Sequence, residues 1–162
     1  VRWIWFDRFE EFESGRWARA VKNVTLAEDH LHEHFPGLPL MPASLMIEGV
    51  AQTAGILVGE VRDFSEKVIL AKIKRAVFYA LVRPGDQLHY EARVEHLSEA
   101  AAATTGRITR GPELIGEVDL VFSHIDQNIS GLDFPRENFV FTDDFKALLA
   151  GFRSDPSARI RL

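Results

Sequence analysis

The segment His34-Phe35-Pro36-Gly37-Leu38-Pro39-Leu40-Met41-Pro42-Ala43-Ser44-Leu45-Met46-Ile47-Glu48-Gly49-Val50-Ala51-Gln52 joins a stiff loop to a long apolar helix. Two prolines and a glycine between Phe35 and Pro39 exclude regular helix there. Pro42 suits the first helical position, because its missing N–H would have no partner at a helix start. From Pro42 to about Val61 the pattern is helical and apolar around most of its circumference. A helix of that kind is normally buried. Its polar exceptions, Ser44, Glu48 and Gln52, recur every fourth residue and so share one stripe.

Outward from this segment the pattern changes period. Residues 2–12 and 16–25 read as strands joined at Glu13-Ser14-Gly15, where glycine supplies the freedom of a tight turn. Residues 26–41 read as irregular and carry His30, His32 and His34. Beyond the helix, strand-like runs cover Lys67–Arg75, Val77–Val82, Gln87–Leu97, Ala101–Thr109 and Leu114–His124. Their short connections favour an antiparallel meander. The fold class is therefore α+β, with a large antiparallel sheet wrapped around one long central helix. We expect this domain to span 1–125 and a C-terminal extension to occupy 126–162. The extension holds one plausible short helix, Thr142 to Phe152, capped by Thr142.

Bulk properties narrow the function classes. With 162 residues the chain can bury one core of its own. A net charge of −5 offers no overall basic field for nucleic acid. The absence of cysteine excludes disulfides, thiol nucleophiles and zinc–thiolate sites, and fits a cytoplasmic setting. Val1–Asp7 gains charge too early for a secretory leader. The longest apolar stretch contains Glu48, which argues against membrane insertion.

Three elements bear on chemistry. A carboxylate on a buried helix must be paired, hydrogen-bonded or protonated, and desolvation would make Glu48 a candidate general acid. A wet face of an amphipathic helix is the plainer reading of the same stripe. Imidazole is the side chain best matched to proton transfer near neutrality, and His34 abuts a rigid loop. The plainer reading there is a surface histidine. Amides near Ala43, Ser44 and Leu45 at the helix start could stabilise an oxyanion. A base, an oxyanion site and an acid together suit proton abstraction beside a thioester carbonyl with loss of a hydroxyl. A metal cluster of His30, His32, His34 and Glu33 is an alternative, since alternate residues of an extended segment share one side. Ser44 lacks the strand-to-helix elbow of a nucleophilic serine. Lys72, Lys74, Arg75 and Arg83 could form a basic rim for an acidic partner.

The run His34-Phe35-Pro36-Gly37-Leu38-Pro39-Leu40-Met41-Pro42, followed by Glu48 and Ala51-Gln52, closely resembles the signature of 3-hydroxyacyl-acyl-carrier-protein dehydratases of dissociated (type II) fatty-acid synthesis. Gly15 to Val24 resembles that family's second strand, and Arg83-Pro84-Gly85-Asp86-Gln87-Leu88 its later turn. The resemblance covers roughly residues 4–124. It implies a hot-dog fold and a homodimer with sheets joined edge to edge, in many members a trimer of dimers. It implies an active site shared between His34 of one subunit and Glu48 of the other. It also implies an acyl tunnel, no metal or redox cofactor, and a substrate carried on the phosphopantetheine arm of acyl carrier protein. By position His34 takes the C2 proton and Glu48 assists departure of the 3-hydroxyl. Gly37, Leu40, Ala43, Ser44 and Gln52 are the implied substrate-side positions; Leu40's carbonyl holds the imidazole tautomer and Gln52 orients Glu48. The chain departs from the pattern at Ala43 (usually glycine), at Gly49 (usually alanine) and along Val77–Val82. Its tail after residue 125 has no counterpart. A hot-dog thioesterase would not need the His34–Pro39 loop, and a non-catalytic acyl-binding module would not need the His34–Glu48 pair.

Overall fold

The computed structural model describes residues 3–125, 135, 137–153 and 159–161, with only the backbone for 152, 153 and 159–161. In chain order the elements are β1 (Arg8–Glu13), β2 (Trp17–Asn23), α1 (His30–Glu33), α2 (Ala43–Glu60), β3 (Val68–Phe78), β4 (Gln87–Leu97), β5 (Ala101–Arg110), β6 (Glu113–His124), α3 (Asp143–Arg153) and β7 (Arg159–Arg161). They form one sheet in the order β3-β6-β5-β4-β2-β1-β7. The first six of these strands pair antiparallel, and β7 adds to β1 in parallel.

The sheet curls around α2 because its inward positions are small where the helix comes closest. Ala18, Ala20, Ala92 and Ala102 are buried on β2, β4 and β5. A Cβ on Gly106 would lie 2.3 Å from Val50 Cγ1, so only glycine admits the helix at that point. Gly49 answers from the helix side: a Cβ there would sit 2.4 Å from the ring of the fully buried Tyr90. Val50, Ala54, Leu57 and Val58 fill the interior against Leu88, Ile108, Val118 and Leu120. Burying these side chains is the main drive for the layer arrangement.

Several boundaries differ from the sequence reading. Pro42 is the N-cap in extended conformation (φ −61°, ψ 139°), and the helix begins at Ala43. Residues 26–41 contain the single turn α1, tied to the sheet by buried Lys22, which donates to Glu28 at 2.6 Å. The two runs Lys67–Arg75 and Val77–Val82 are one bulged strand, β3, ending at Phe78. The Tyr79 amide makes a last bond to the Ile115 carbonyl (2.8 Å), residues 80–82 leave the sheet, and the Val82 carbonyl accepts from the Met41 amide (3.0 Å). β3 forms one edge of the sheet, with Leu70 and Ile73 exposed.

Behind the C-terminal end of α2, Asn138 fastens the later segment to the body. Its amide nitrogen donates to the Phe64 and Glu66 carbonyls (3.0 and 3.1 Å), and its oxygen accepts from the Val140 and Phe141 amides. The expected tail helix forms as α3, with the Thr142 hydroxyl accepting from the Phe145 amide (3.4 Å). The expected boundary at 125/126 borders residues 126–134, which lie outside the described residues. No described helix is long and apolar enough to cross a membrane.

Candidate active site

His34 stands immediately after α1, its amide donating to the His30 carbonyl (3.3 Å). A turn follows, closed by the Leu38 amide on the Phe35 carbonyl (2.9 Å), with Gly37 at φ +76°. That left-handed conformation is one an L side chain resists, which accounts for glycine at 37. Together with the Met41–Val82 bond, the turn fixes the path from His34 to α2. The His34 ring is exposed and packs edge-on to Phe35 (4.5 Å between centroids). The expected support from Leu40 differs: no bond from the imidazole to that carbonyl is present among the described residues.

At the start of α2 the Leu45 and Met46 amides both reach the Pro42 carbonyl (3.0 and 3.3 Å). The Ala43 and Ser44 amides precede the first intrahelical bond and lie in an exposed turn. The expected trio of donors is therefore a pair, Ala43 and Ser44.

Glu48 is half-buried rather than enclosed, so full desolvation is not reached within one protomer. Gln52 donates to Glu48 Oε1 (2.8 Å) and to the Trp3 carbonyl (2.9 Å), while its own Oε1 accepts from the Trp5 amide (2.9 Å). The accepting oxygen is fixed by an N–H, so the amide nitrogen must be the group facing Glu48. One side chain thus holds the carboxylate and the N-terminal segment together.

His34 and Glu48 face different cavities of the protomer. Glu48 lies on the wall of a cavity of about 250 Å³, with Ala51, Gln52, Ile56, Val68, Leu70 and Phe122. His34 lines another of about 670 Å³, with Ser44, Leu45, His30 and Glu28. Trp3 and Ile4 border both. The Ser44–Glu48–Gln52 stripe is therefore divided, with Ser44 beside His34 and the other two in the smaller cavity.

The histidine cluster does not assemble a metal site. Helical winding in α1 turns His32 away, where its Nε2 contacts the Leu26 carbonyl. Among the described residues no group of three or more His, Asp or Glu is arranged to hold an ion. His30 packs against Trp5 (5.2 Å), and burial lowers its pKa from the ordinary value, with Glu28 opposing the shift. Of the basic rim, Arg75 is tied to Glu117 (3.1 Å), which also accepts from Tyr79 (2.7 Å).

Sequence reasoning missed Trp3, Ile4, Val140, Phe141 and Phe145 as cavity walls. The usable signal was the spacing Phe145, Leu149 on one face of the expected helix, with Phe141 just ahead of its cap.

Comparison with known proteins agrees with this architecture. Residues 4–118 match the FabA-like domain family. The 3-hydroxyacyl-[acyl-carrier-protein] dehydratase FabZ of Caldanaerobacter subterraneus subsp. tengcongensis is 38% identical over 117 residues, which is 72% of this chain and 83% of the relative. FabZ of Pelotomaculum thermopropionicum is 38% identical over 118 residues, covering 72% and 84%. A conserved protein of Pseudomonas aeruginosa superposes with a TM-score of 0.61 at 16% identity, over 74% of this chain and 88% of that one, a likeness of fold. A matched domain over most of the chain, with the loop–helix segment inside it, makes this protein a member of the FabA-like hot-dog family, of the FabZ 3-hydroxyacyl-acyl-carrier-protein dehydratase type.

Proposed function

We propose that the chain catalyses reversible dehydration of 3-hydroxyacyl thioesters, carried on acyl carrier protein in the cytoplasm, to trans-2-enoyl thioesters. His34 takes the C2 proton, and the electron pair forms the C2–C3 double bond. Glu48 delivers a proton to the departing 3-hydroxyl, which leaves as water. The Ala43 and Ser44 amides, at the positive end of α2, stabilise charge developing on the thioester oxygen. Gln52 positions Glu48, and Gly37 gives the loop its turn.

The observation that carries this reading is Glu48 held by Gln52 on the wall of an apolar cavity. Because His34 opens on another cavity of the same protomer, we assign each active site to two copies: Glu48 of one and His34 of the other. The edge strand β3, with Leu70 and Ile73 exposed, suits edge-to-edge pairing of the two sheets. Lys72, Lys74 and Arg83 suit the acidic surface of a carrier protein.

The test is complementation. His34→Ala and Glu48→Gln should each abolish hydration of crotonyl thioester. Unfolding and reassembling the two inactive variants together yields mixed dimers with one intact site. Random mixing returns about a quarter of wild-type activity, since half the dimers are mixed and each has one good site of two. No recovery from properly refolded mixtures rules out sharing, and near-full activity of either single variant rules out that residue. Thiol release without enoyl chemistry would instead indicate a thioesterase.

A further inference from the structure

We propose that the segment from Asn138 through α3 closes the acyl pocket beside Glu48, and that Phe145 sets the length of chain admitted. The inference rests on the dehydratase reading and adds a determinant outside the matched family region, which ends at residue 118.

The cavity beside Glu48 has walls of two origins. Val68 and Phe122 come from the hot-dog sheet, and Val140, Phe141 and Phe145 from the later segment. Glu48 supplies the cavity's sole charged side chain among the described residues. A hydrocarbon chain with its thioester end at Glu48 matches that lining, because apolar chains gain by leaving water and charged ones do not.

The later segment is a fixed wall. Asn138 makes four hydrogen bonds, two to each side of the junction. Phe141 lies against Phe64 (4.9 Å) and over Gly59, where a Cβ would meet its ring at 2.6 Å. The Thr142 cap then directs α3 so that Phe145 is buried at the cavity. A buried ring held by a capped helix stops a growing acyl chain, as a floor does.

The experiment measures kcat/KM for hydration of enoyl thioesters from crotonyl to dodecenoyl with wild type, Phe145→Ala, Phe145→Trp and Leu148→Ala. Leu148 is an exposed residue of α3 that does not line the cavity. Phe145→Ala should raise the long-to-short ratio by about 10-fold or more, the usual scale for a methylene that newly fits a pocket. Phe145→Trp should lower it, and Leu148→Ala should leave it unchanged. Wild type active on crotonyl thioester with ratios unmoved in both Phe145 variants overturns this inference alone. Wild type inactive at every chain length overturns the dehydratase reading itself. If Phe145→Ala does not fold, the Phe145→Trp profile still decides, because an unchanged profile refutes the floor.

Discussion

Gly49→Ala tests a tight contact between α2 and the sheet. An added Cβ would lie 2.4 Å from Tyr90 Cε2 and 2.5 Å from Cζ. Ordinary carbon contacts begin near ~3.5 Å, so the ring or the helix must give by about 1 Å. Tyr90 has no exposed surface through which to move, being fully buried. Overpacking of this degree costs about 2–3 kcal/mol, and alanine's better helix propensity returns about 1 kcal/mol. The net loss is about 1–2 kcal/mol, a fall in Tm of roughly 2–8 °C for a chain of this size. Urea unfolding at fixed protomer concentration measures it, because a dimer's stability depends on concentration. Tyr90→Leu should relieve the clash, so Gly49→Ala and Tyr90→Leu should couple favourably by about 1–2 kcal/mol in a double-mutant cycle. Tyr90→Phe should keep the clash yet stabilise the parent by about 1 kcal/mol, since the Tyr90 hydroxyl is buried without a partner among the described residues. A Gly49→Ala protein at least as stable as the parent, or additive with Tyr90→Leu, refutes the reasoning.

Gln52→Ala removes three hydrogen bonds. It should cost about 1–3 kcal/mol of stability and lower kcat more than it changes KM, with the fluorescence of buried Trp5 shifting to the red as its segment loosens. Burial lowers the pKa of both His30 and His89 from the ordinary 6.5, with nearby Arg19 adding to the effect at His89. The unfolded chain then binds more protons, so the stability these groups contribute is complete above about pH 6.5 and is lost as pH falls through the lowered folded values. Urea midpoints measured across this range should fall on the acid side, and His30→Gln with His89→Gln should flatten the decline. Gly59→Ala drives a methyl into Phe141, and limited proteolysis should cut residues 138–153 faster than in the parent while the hot-dog core stays resistant.

Much of this molecule was legible because its signals are local. The apolar run from Leu45 to Leu57 reads as a buried helix and forms one, and four of the five runs after it form the strands they suggest, whereas most of Val77–Val82 does not. The Phe35–Pro39 punctuation likewise placed the loop. Errors arose where tertiary contacts decide. Pro42 lies outside the helix because the Val82–Met41 bond fixes the chain before it. The short turn α1 forms just after Glu28, which buried Lys22 of β2 holds at 2.6 Å, a pairing that the residue pattern of 26–41 does not announce. The division of Ser44, Glu48 and Gln52 between two cavities depends on where Trp3 and Ile4 run. Helix periodicity aligns residues on a stripe but does not say what crosses it.

The Gln52 clamp has an evolutionary consequence. It grips main-chain atoms at Trp3 and Trp5, never their side chains. Trp3 and Ile4, which border both chambers, can therefore change without breaking the clamp's bonds, while Trp5 stays held in the core against His30. Chamber lining and placement of the acid are thus open to separate substitution, joined by a single amide.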